Sequence, residues 1–116
     1  RTAPAAVIAA ISARVGSIED NALGGWYSYR ASKAAQNQLF RTLSIELRRS
    51  LPNLRVVSLH PGTVDTPLAA PFKANVPADR LFTPEQSAAH LLRVIAGVQN
   101  EDSGRFLAWD GKTIPW

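Results

Sequence analysis

Two short apolar segments separated by one long helical pattern restrict the possible folds of this chain more than any other feature. Ala5–Ile11 and Arg55–Leu59 are short apolar runs of the length typical of strands, and a buried helix is the alternative for the first. Between them, from Ser28 to about Ser50, apolar residues recur at spacings of three and four, which is typical of an amphipathic helix. We therefore predict a βαβ unit of two parallel strands, with the first strand buried on both faces. The recurring apolar residues are Ala31, Ala34, Ala35, Leu39, Leu43 and Leu47.

The second half of the chain adds a long loop, a helix and a third strand. Thr63–Phe82 contains three prolines and reads as an irregular segment of the kind that often forms a binding loop. Thr83, Pro84 and Gln86 form a helix-start signature, with Thr83 as N-cap and Gln86 completing a capping box. Gly104–Trp109 is predicted as a strand. The order β-α-β-loop-α-β indicates an α/β fold with a parallel sheet, in which ligands bind beyond the carboxyl ends of the strands.

Tyr29 and Lys33 are the strongest candidates for catalytic residues. Residues four apart on a helix lie on one face, about 5–6 Å apart between Cβ atoms. An ammonium group at that distance stabilises a phenolate, so the pair can act as a general acid/base if it faces a cavity. The same spacing also occurs by chance in helices where a tyrosine at the core edge lies beside a solvated lysine.

Composition excludes several classes of site and partner. The chain has no cysteine, and its two histidines, His60 and His90, are too far apart for a short metal motif, so we expect no metal site. The net charge is +4, but the arginines are scattered along the chain, so we expect no nucleic-acid partner. The longest apolar run is too short to span a membrane and no secretory signal is visible, so we expect a cytoplasmic protein with no membrane partner.

Taken in order, these motifs resemble the C-terminal half of a short-chain dehydrogenase/reductase, and the resemblance covers nearly the whole chain. The fold implied is the C-terminal portion of a Rossmann-like, doubly wound parallel sheet. The residues Gly16–Ile18 and Gly24–Arg30 are most similar to the C-factor (C-signal-like) branch of the family, near the small carbonyl reductases. The matching segments are Ala5–Gly16 for the fifth strand and serine loop, Tyr29–Lys33 for the catalytic helix, Arg55–Thr66 for the sixth strand and its Pro-Gly-x-x-x-Thr turn, and Gly104–Gly111 for the seventh strand.

The resemblance implies an oxidoreductase that uses NAD or NADP and transfers a hydride between nicotinamide and a small carbonyl or alcohol substrate. Tyr29 would be the general acid in carbonyl reduction and the general base in alcohol oxidation. Lys33 would assist that phenol and hydrogen-bond the nicotinamide ribose. The turn after the second strand would hold the nicotinamide carboxamide and the nearby phosphate, although its Pro-Gly could also simply end the strand. The implied cofactor contacts are Tyr29, Lys33, Pro61, Gly62, Thr63, Val64 and Thr66.

The resemblance also has implications for the substrate and for protein partners. The Pro-rich segment resembles the family's substrate-binding loop, and its apolar side chains would form a pocket wall or pack under the loop. The long helix commonly packs against a second subunit in this family, which implies a homo-oligomer formed through the helix that contains Tyr29. C-factor relatives are linked with cell–cell signalling, so a non-catalytic signalling or interaction module is the alternative function. The apolar residues of the loop are Leu68, Phe72, Leu81 and Phe82.

The serine loop departs from the family pattern. In the usual Ser-Ser-x-x-Gly loop, the catalytic serine lies three residues before the glycine, and here that position is Ala13. Ser12 and Ser17 flank it, and either hydroxyl could polarise a carbonyl or be an ordinary loop serine. We take Ser12 as the catalytic candidate, although side chains of adjacent residues on an extended segment point to opposite faces.

The sequence also lacks the family's glycine-rich phosphate turn and the residue that selects between NAD and NADP. We therefore expect residues 1–116 to be the C-terminal part of a single NAD(P)-binding domain, with its N-terminal dinucleotide-binding half absent. If these residues were the entire polypeptide, we would expect no measurable cofactor binding.

Overall fold

A parallel sheet lies at the centre of the molecule. The computed structural model describes residues 4–71, 74 and 76–116. Its main strands pair in the order β1-β2-β5, and both pairings are parallel, which confirms the predicted βαβ unit and parallel sheet. The main elements are β1 (Ala6–Ile11), α1 (Tyr27–Ser50), β2 (Leu54–His60), α2 (Pro84–Gly97) and β5 (Phe106–Ala108).

The strand register brings three chain segments to one edge of the sheet. Ile11 is opposite Leu59 in the β1–β2 pair, and His60 is opposite Ala108 in the β2–β5 pair. The strands therefore end together at their carboxyl edge, where the loop after β1 and the turn after β2 become neighbours.

One apolar core cluster lies on the side of the sheet covered by α2, which we call the α2 face. Val57, Leu59 and Leu107 are buried together with Val98, which follows α2. α2 starts with the predicted capping box: Thr83 Oγ1 accepts a hydrogen bond from the Gln86 backbone N–H at 3.1 Å, and Gln86 Oε1 accepts one from the Thr83 N–H at 2.9 Å. Partly buried side chains that complete this core are Val7, Ala9, Leu91, Val94 and Ile95.

The opposite side of the sheet, the α1 face, holds a second apolar cluster of Phe106, Ala108 and Ile114 together with buried polar side chains. Strand side chains alternate between faces, so Ser58 points away from the α2 face. The buried residues of α1 are Asn37 and Ser44, not the predicted apolar stripe. Of the recurring apolar residues, Ala31, Ala35 and Leu39 are exposed. Gly16 and Gly104 approach α1 closely, and a Cβ added at either glycine would meet Lys33 or Ser44.

The prediction that the first strand is buried on both faces was also wrong. Ile8 and Ile11 of β1 are 39% and 51% exposed. Among the described residues β1 pairs only with β2, so β1 lies at the edge of the sheet rather than inside it.

The segment predicted as irregular contains short regular elements. β3 (Thr63–Val64) pairs in parallel with β4 (Leu81–Phe82), and the 3₁₀ turns Pro67–Ala69 and Ala78–Arg80 lie between them. Phe72, which the sequence suggests as part of a pocket wall, lies outside the described residues. Within the described ranges, no helix combines the length and apolar character needed to cross a bilayer.

Candidate active site

A cavity of about 350 Å³ opens at the carboxyl edge of the sheet. Its walls come from the loop after β1, the first turns of α1 and the turn after β2. Ser17, the alternative serine, is not among the lining residues, whereas the other candidate site residues line it: Ser12, Tyr29, Lys33, Pro61, Gly62, Thr63, Val64 and Thr66.

The ammonium group of Lys33 is held between α1 and the end of β1. Its Nζ lies 5.9 Å from the centre of the Tyr29 ring. The same Nζ is 3.3 Å from Gln36 Oε1 and 3.5 Å from the Ile11 carbonyl oxygen, to which Gln36 Nε2 also donates at 2.8 Å. These contacts orient a positive charge toward the tyrosine side of the cavity.

Gly16 allows α1 to approach the loop. A Cβ at this position would lie 2.8 Å from Lys33 Cβ and 3.0 Å from the Lys33 carbonyl carbon. Gly16 is also the last residue of a 3₁₀ turn, Arg14–Gly16, in which its N–H donates to the Ala13 carbonyl at 2.9 Å. The glycine of the serine loop is therefore a packing requirement that places Lys33 against the loop.

Both serines of the loop use their hydroxyls in hydrogen bonds to the protein. Ser12 is 3% exposed, and its Oγ donates to Oδ1 of the buried Asn37 at 2.6 Å. Ser17 Oγ donates to the Pro115 carbonyl at 2.5 Å and accepts from the Asp20 N–H at 3.1 Å. Ala13 is extended, with φ −150° and ψ 147°, and lines the cavity. Sequence reasoning missed Asn37, because nothing in the local pattern links it to Ser12.

His60 also lines the cavity, and no role in the site was predicted for it from the sequence. Its Nδ1 accepts a hydrogen bond from the Arg14 backbone N–H at 3.1 Å. Burial, with a smaller contribution from the Arg14 guanidinium, lowers the pKa of His60 from 6.5 to about 4, and Asp110 and Asp20 oppose the shift. The ring is therefore neutral near pH 7, as its role as an acceptor requires. The two partners are 46 positions apart, which explains why no short motif indicated the contact.

The turn after β2 rests on a group of aromatic rings. Gly62 has φ +79°, and a Cβ there would lie 2.6 Å from Phe82 Cε2 and 3.1 Å from Trp109 Cδ1. The Phe82 ring centre is 4.7 Å from that of Trp109 and 4.8 Å from that of His90. Phe82 thus packs beneath the turn, whereas Leu68, which is 74% exposed, is among the residues that line the cavity.

Sequence comparison matches this chain to one protein family and to several known proteins. The family model described as short chain dehydrogenase matches residues 3–77. The chain is 40% identical over 109 residues to the C-signal of Myxococcus xanthus, and 40% identical over 112 residues to a 1-hydroxy-2-glutathionyl-2-methyl-3-butene dehydrogenase of Rhodococcus sp. (strain AD45). These matches cover 94% and 96% of this chain, and 60% and 47% of the two relatives. The chain therefore spans about half the length of the curated relatives it matches.

Two solved structures have the same fold over nearly all of this chain. NADPH-bound carbonyl reductase from chicken fatty liver superposes with a TM-score of 0.82 at 37% identity, and carbonyl reductase Sniffer of Drosophila melanogaster with 0.81 at 31%. Each covers 96% of this chain, which in turn covers 43% and 41% of theirs. The expectation of a partial Rossmann-like fold is confirmed.

Proposed function

Since the chain belongs to the short-chain dehydrogenase family, we propose that it carries the catalytic pair of an NAD(P)-dependent oxidoreductase that acts on a small carbonyl or alcohol substrate. Tyr29 is the general acid/base and Lys33 is its electrostatic partner. The observation that carries this proposal is the single cavity that Tyr29 and Lys33 share with the Pro61–Thr66 turn.

The proton chemistry follows from what the two side chains can do. In carbonyl reduction the Tyr29 phenol donates its proton to the substrate oxygen, and in alcohol oxidation the phenolate accepts it. Lys33, whose Nζ lies 5.9 Å from the ring centre, stabilises the negative charge on the phenolate. A positioned acid/base of this kind contributes about 10²–10⁴-fold to the rate. When bound, the nicotinamide supplies or accepts the hydride.

The residues of the cavity fit the nicotinamide end of a dinucleotide. A volume of about 350 Å³ is at the lower end of the range for ligand pockets, which suits part of a large cofactor. Lys33 offers an ammonium donor, and the hydroxyls of Thr63 and Thr66 lie along the turn. The relative from chicken fatty liver is described as NADPH-bound. We propose NAD or NADP as the cofactor, contacted by Tyr29, Lys33, Pro61, Gly62, Thr63, Val64 and Thr66.

We further propose that residues 1–116 are the C-terminal part of one Rossmann-like domain, whose dinucleotide phosphates are bound by a segment outside this sequence. The chain has no Gly-x-x-x-Gly-x-Gly run, and it spans about half the length of its curated relatives. The chain alone should then fail to bind NADPH when titrated by fluorescence, and micromolar affinity of the isolated chain would contradict this proposal.

The catalytic proposal is tested by Tyr29→Phe in the full polypeptide that carries this chain. Turnover of a simple aromatic aldehyde with NADPH or NADH should fall by about 10²-fold or more. Tyr27→Phe is a matched control, because Tyr27 lies on the same helix and is 87% exposed. It should retain full turnover. Equal activity of the two variants would remove Tyr29 from the mechanism.

A second candidate is a non-catalytic signalling or interaction module. It is favoured by the similarity to the C-signal and by large exposed apolar side chains before α1, which include Ile18 and Leu23 at 76% and 95% exposure. Under this alternative, Tyr29→Phe would leave the biological output of the protein unchanged, and neither form would turn over substrate.

The proposed homo-oligomer is consistent with the outer surface of α1, where Leu39 and Ile45 are 68% and 51% exposed. Sedimentation of the full polypeptide with Leu39→Glu would test it, since a charge in a packed helix contact should dissociate the assembly.

A further inference from the structure

We propose that His60 is a positioning residue that holds the Ser12–Gly16 loop at the distance from Tyr29 and Lys33 that proton transfer needs. The proposal rests on the function proposed above. It concerns the geometry of the cavity and assigns no direct contact between His60 and substrate.

The imidazole continues the pairing of β1 and β2 beyond the end of the strands. The last backbone contact between them is the Ser12 N–H donating to the Leu59 carbonyl at 2.7 Å. The Arg14 N–H comes next on that side and donates to His60 Nδ1 at 3.1 Å. A side chain thus replaces the missing backbone acceptor, and it fixes the first residue of the 3₁₀ turn.

Several contacts hold this loop, and they tie it to two elements. Ser12 Oγ binds Asn37 in the middle of α1, Gly16 packs against Lys33 near the start of α1, and Arg30 Nη1 donates to the Val15 carbonyl at 3.4 Å. The Ser12 N–H and the His60 contact tie the loop to β2, the strand that leads into the Pro61–Thr66 turn, and among the described residues the His60 contact is the one that reaches the 3₁₀ turn itself. It therefore sets the spacing between two walls of the cavity.

The hydrogen bond also determines the state of the ring. Because Nδ1 accepts, the proton of the neutral imidazole must be on Nε2. Protonation of Nδ1 would place two donors against each other and break the contact. Burial and the Arg14 guanidinium oppose protonation, Asp20 and Asp110 favour it, and the resulting pKa of about 4 keeps the acceptor available at neutral pH.

Two substitutions separate positioning from packing. In His60→Asn, the side-chain Oδ1 lies close to the place of Nδ1 and can accept from Arg14. In His60→Leu, a side chain of similar bulk has no acceptor. In the full polypeptide we expect His60→Asn to keep turnover within about 3-fold of wild type and His60→Leu to lose at least 10-fold in kcat. Hydrogen exchange of the Arg14 amide, followed by NMR, should accelerate at least 10-fold only in His60→Leu, with the Gly104 amide, whose acceptor is the Val56 carbonyl, unchanged in both.

The proposal is overturned if His60→Leu keeps both turnover and Arg14 amide protection, or if His60→Asn loses as much as His60→Leu. If leucine prevents folding, His60→Gln replaces it, since glutamine places its amide nearer the Nε2 position, away from Arg14, and the same loss is expected. A protein in which Tyr29→Phe has no effect but the Arg14 amide still responds would refute the catalytic proposal while keeping the structural contact.

Discussion

The two faces of the central sheet are built by different means. On the α2 face, Val57, Leu59 and Leu107 pack against aliphatic side chains of and around α2. On the α1 face, the apolar cluster of Phe106, Ala108 and Ile114 is joined by buried polar groups and close backbone approaches, as in the Ser12–Asn37 hydrogen bond and the contact of Gly16 with Lys33. Hydrophobic contact is non-directional and tolerates small shifts, whereas a buried hydrogen bond is costly when its partner moves.

The candidate catalytic residues lie on only one of these two sides of the sheet. Tyr29 and Lys33 belong to α1, the helix whose position is fixed by directional contacts, and α2 supplies neither of them. Changes on the α2 face should therefore alter stability first, and changes on the α1 face should alter site geometry as well.

Leu59→Ala is expected to have the largest effect on stability. Leu59 is fully buried on the α2 face, and truncating such a leucine lowers the free energy of unfolding by about 2–5 kcal/mol. Leu92→Ala is the control, because Leu92 on α2 is 67% exposed and should change stability by less than about 0.5 kcal/mol. Urea unfolding monitored by circular dichroism measures both. Equal losses would mean that the α2 face is not the main source of apolar stabilisation.

The pH dependence of stability is the next largest effect, and it arises at His60 beside the α1 face. Its pKa is about 4 in the folded protein and 6.5 ordinarily, so the unfolded chain binds more protons between these values. The stabilisation is complete above pH 6.5 and is lost as pH falls toward 4, by roughly 3 kcal/mol in total. The unfolding free energy of wild type should fall by that amount relative to that of His60→Asn between pH 7 and pH 4, because asparagine does not titrate in this range. Parallel curves would exclude His60 as the source.

Gly16→Ala should damage both stability and activity. The new methyl group would lie 2.8 Å from Lys33 Cβ, so the loop and α1 must move apart, at a cost of about 1–3 kcal/mol. Gly97→Ala is the matched control, since no described atom lies within 4 Å of its added Cβ. That control should be neutral or stabilising by up to about 1 kcal/mol. A Gly16→Ala protein with wild-type turnover would show that Lys33 tolerates displacement.

Ser12→Ala tests whether Ser12 is catalytic or structural. The substitution leaves Asn37 Oδ1 without its donor, beside an Nδ2 that has no partner among the described residues. We expect a loss of about 1–3 kcal/mol, against less than about 0.5 kcal/mol for Ser32→Ala, whose exposed hydroxyl bonds the Tyr29 carbonyl. A large loss of turnover with unchanged stability would instead favour Ser12 as the catalytic hydroxyl.

Local signals in the sequence predicted the fold well wherever one short segment contained all the information. The capping box of α2 depends on Thr83, Pro84 and Gln86 alone, and it was predicted correctly. The parallel order of β1, β2 and β5 followed from strand–helix alternation. The lining of the cavity followed from the rule that such strands present their carboxyl ends together.

Features that depend on distant partners were missed. The spacing of alanine and leucine in α1 indicates an amphipathic helix, but it does not indicate the close approach of Gly16 and Gly104 to that helix. The Arg14–His60 hydrogen bond joins residues 46 positions apart, and neither has a local pattern that identifies its partner. The β3–β4 pair consists of two-residue strands, too short for any alternation to be visible.

The contact of Gly62 with the Phe82 ring has a consequence for how related sequences can diverge. Any side chain at position 62 would occupy space now taken by an aromatic ring, and it would also have to adopt a φ of +79°. A replacement is therefore compatible with the turn only as one of a pair, with asparagine at position 62 and a smaller residue at position 82. Substitutions at the two positions should therefore occur together in related sequences, although 19 residues separate the positions along the chain.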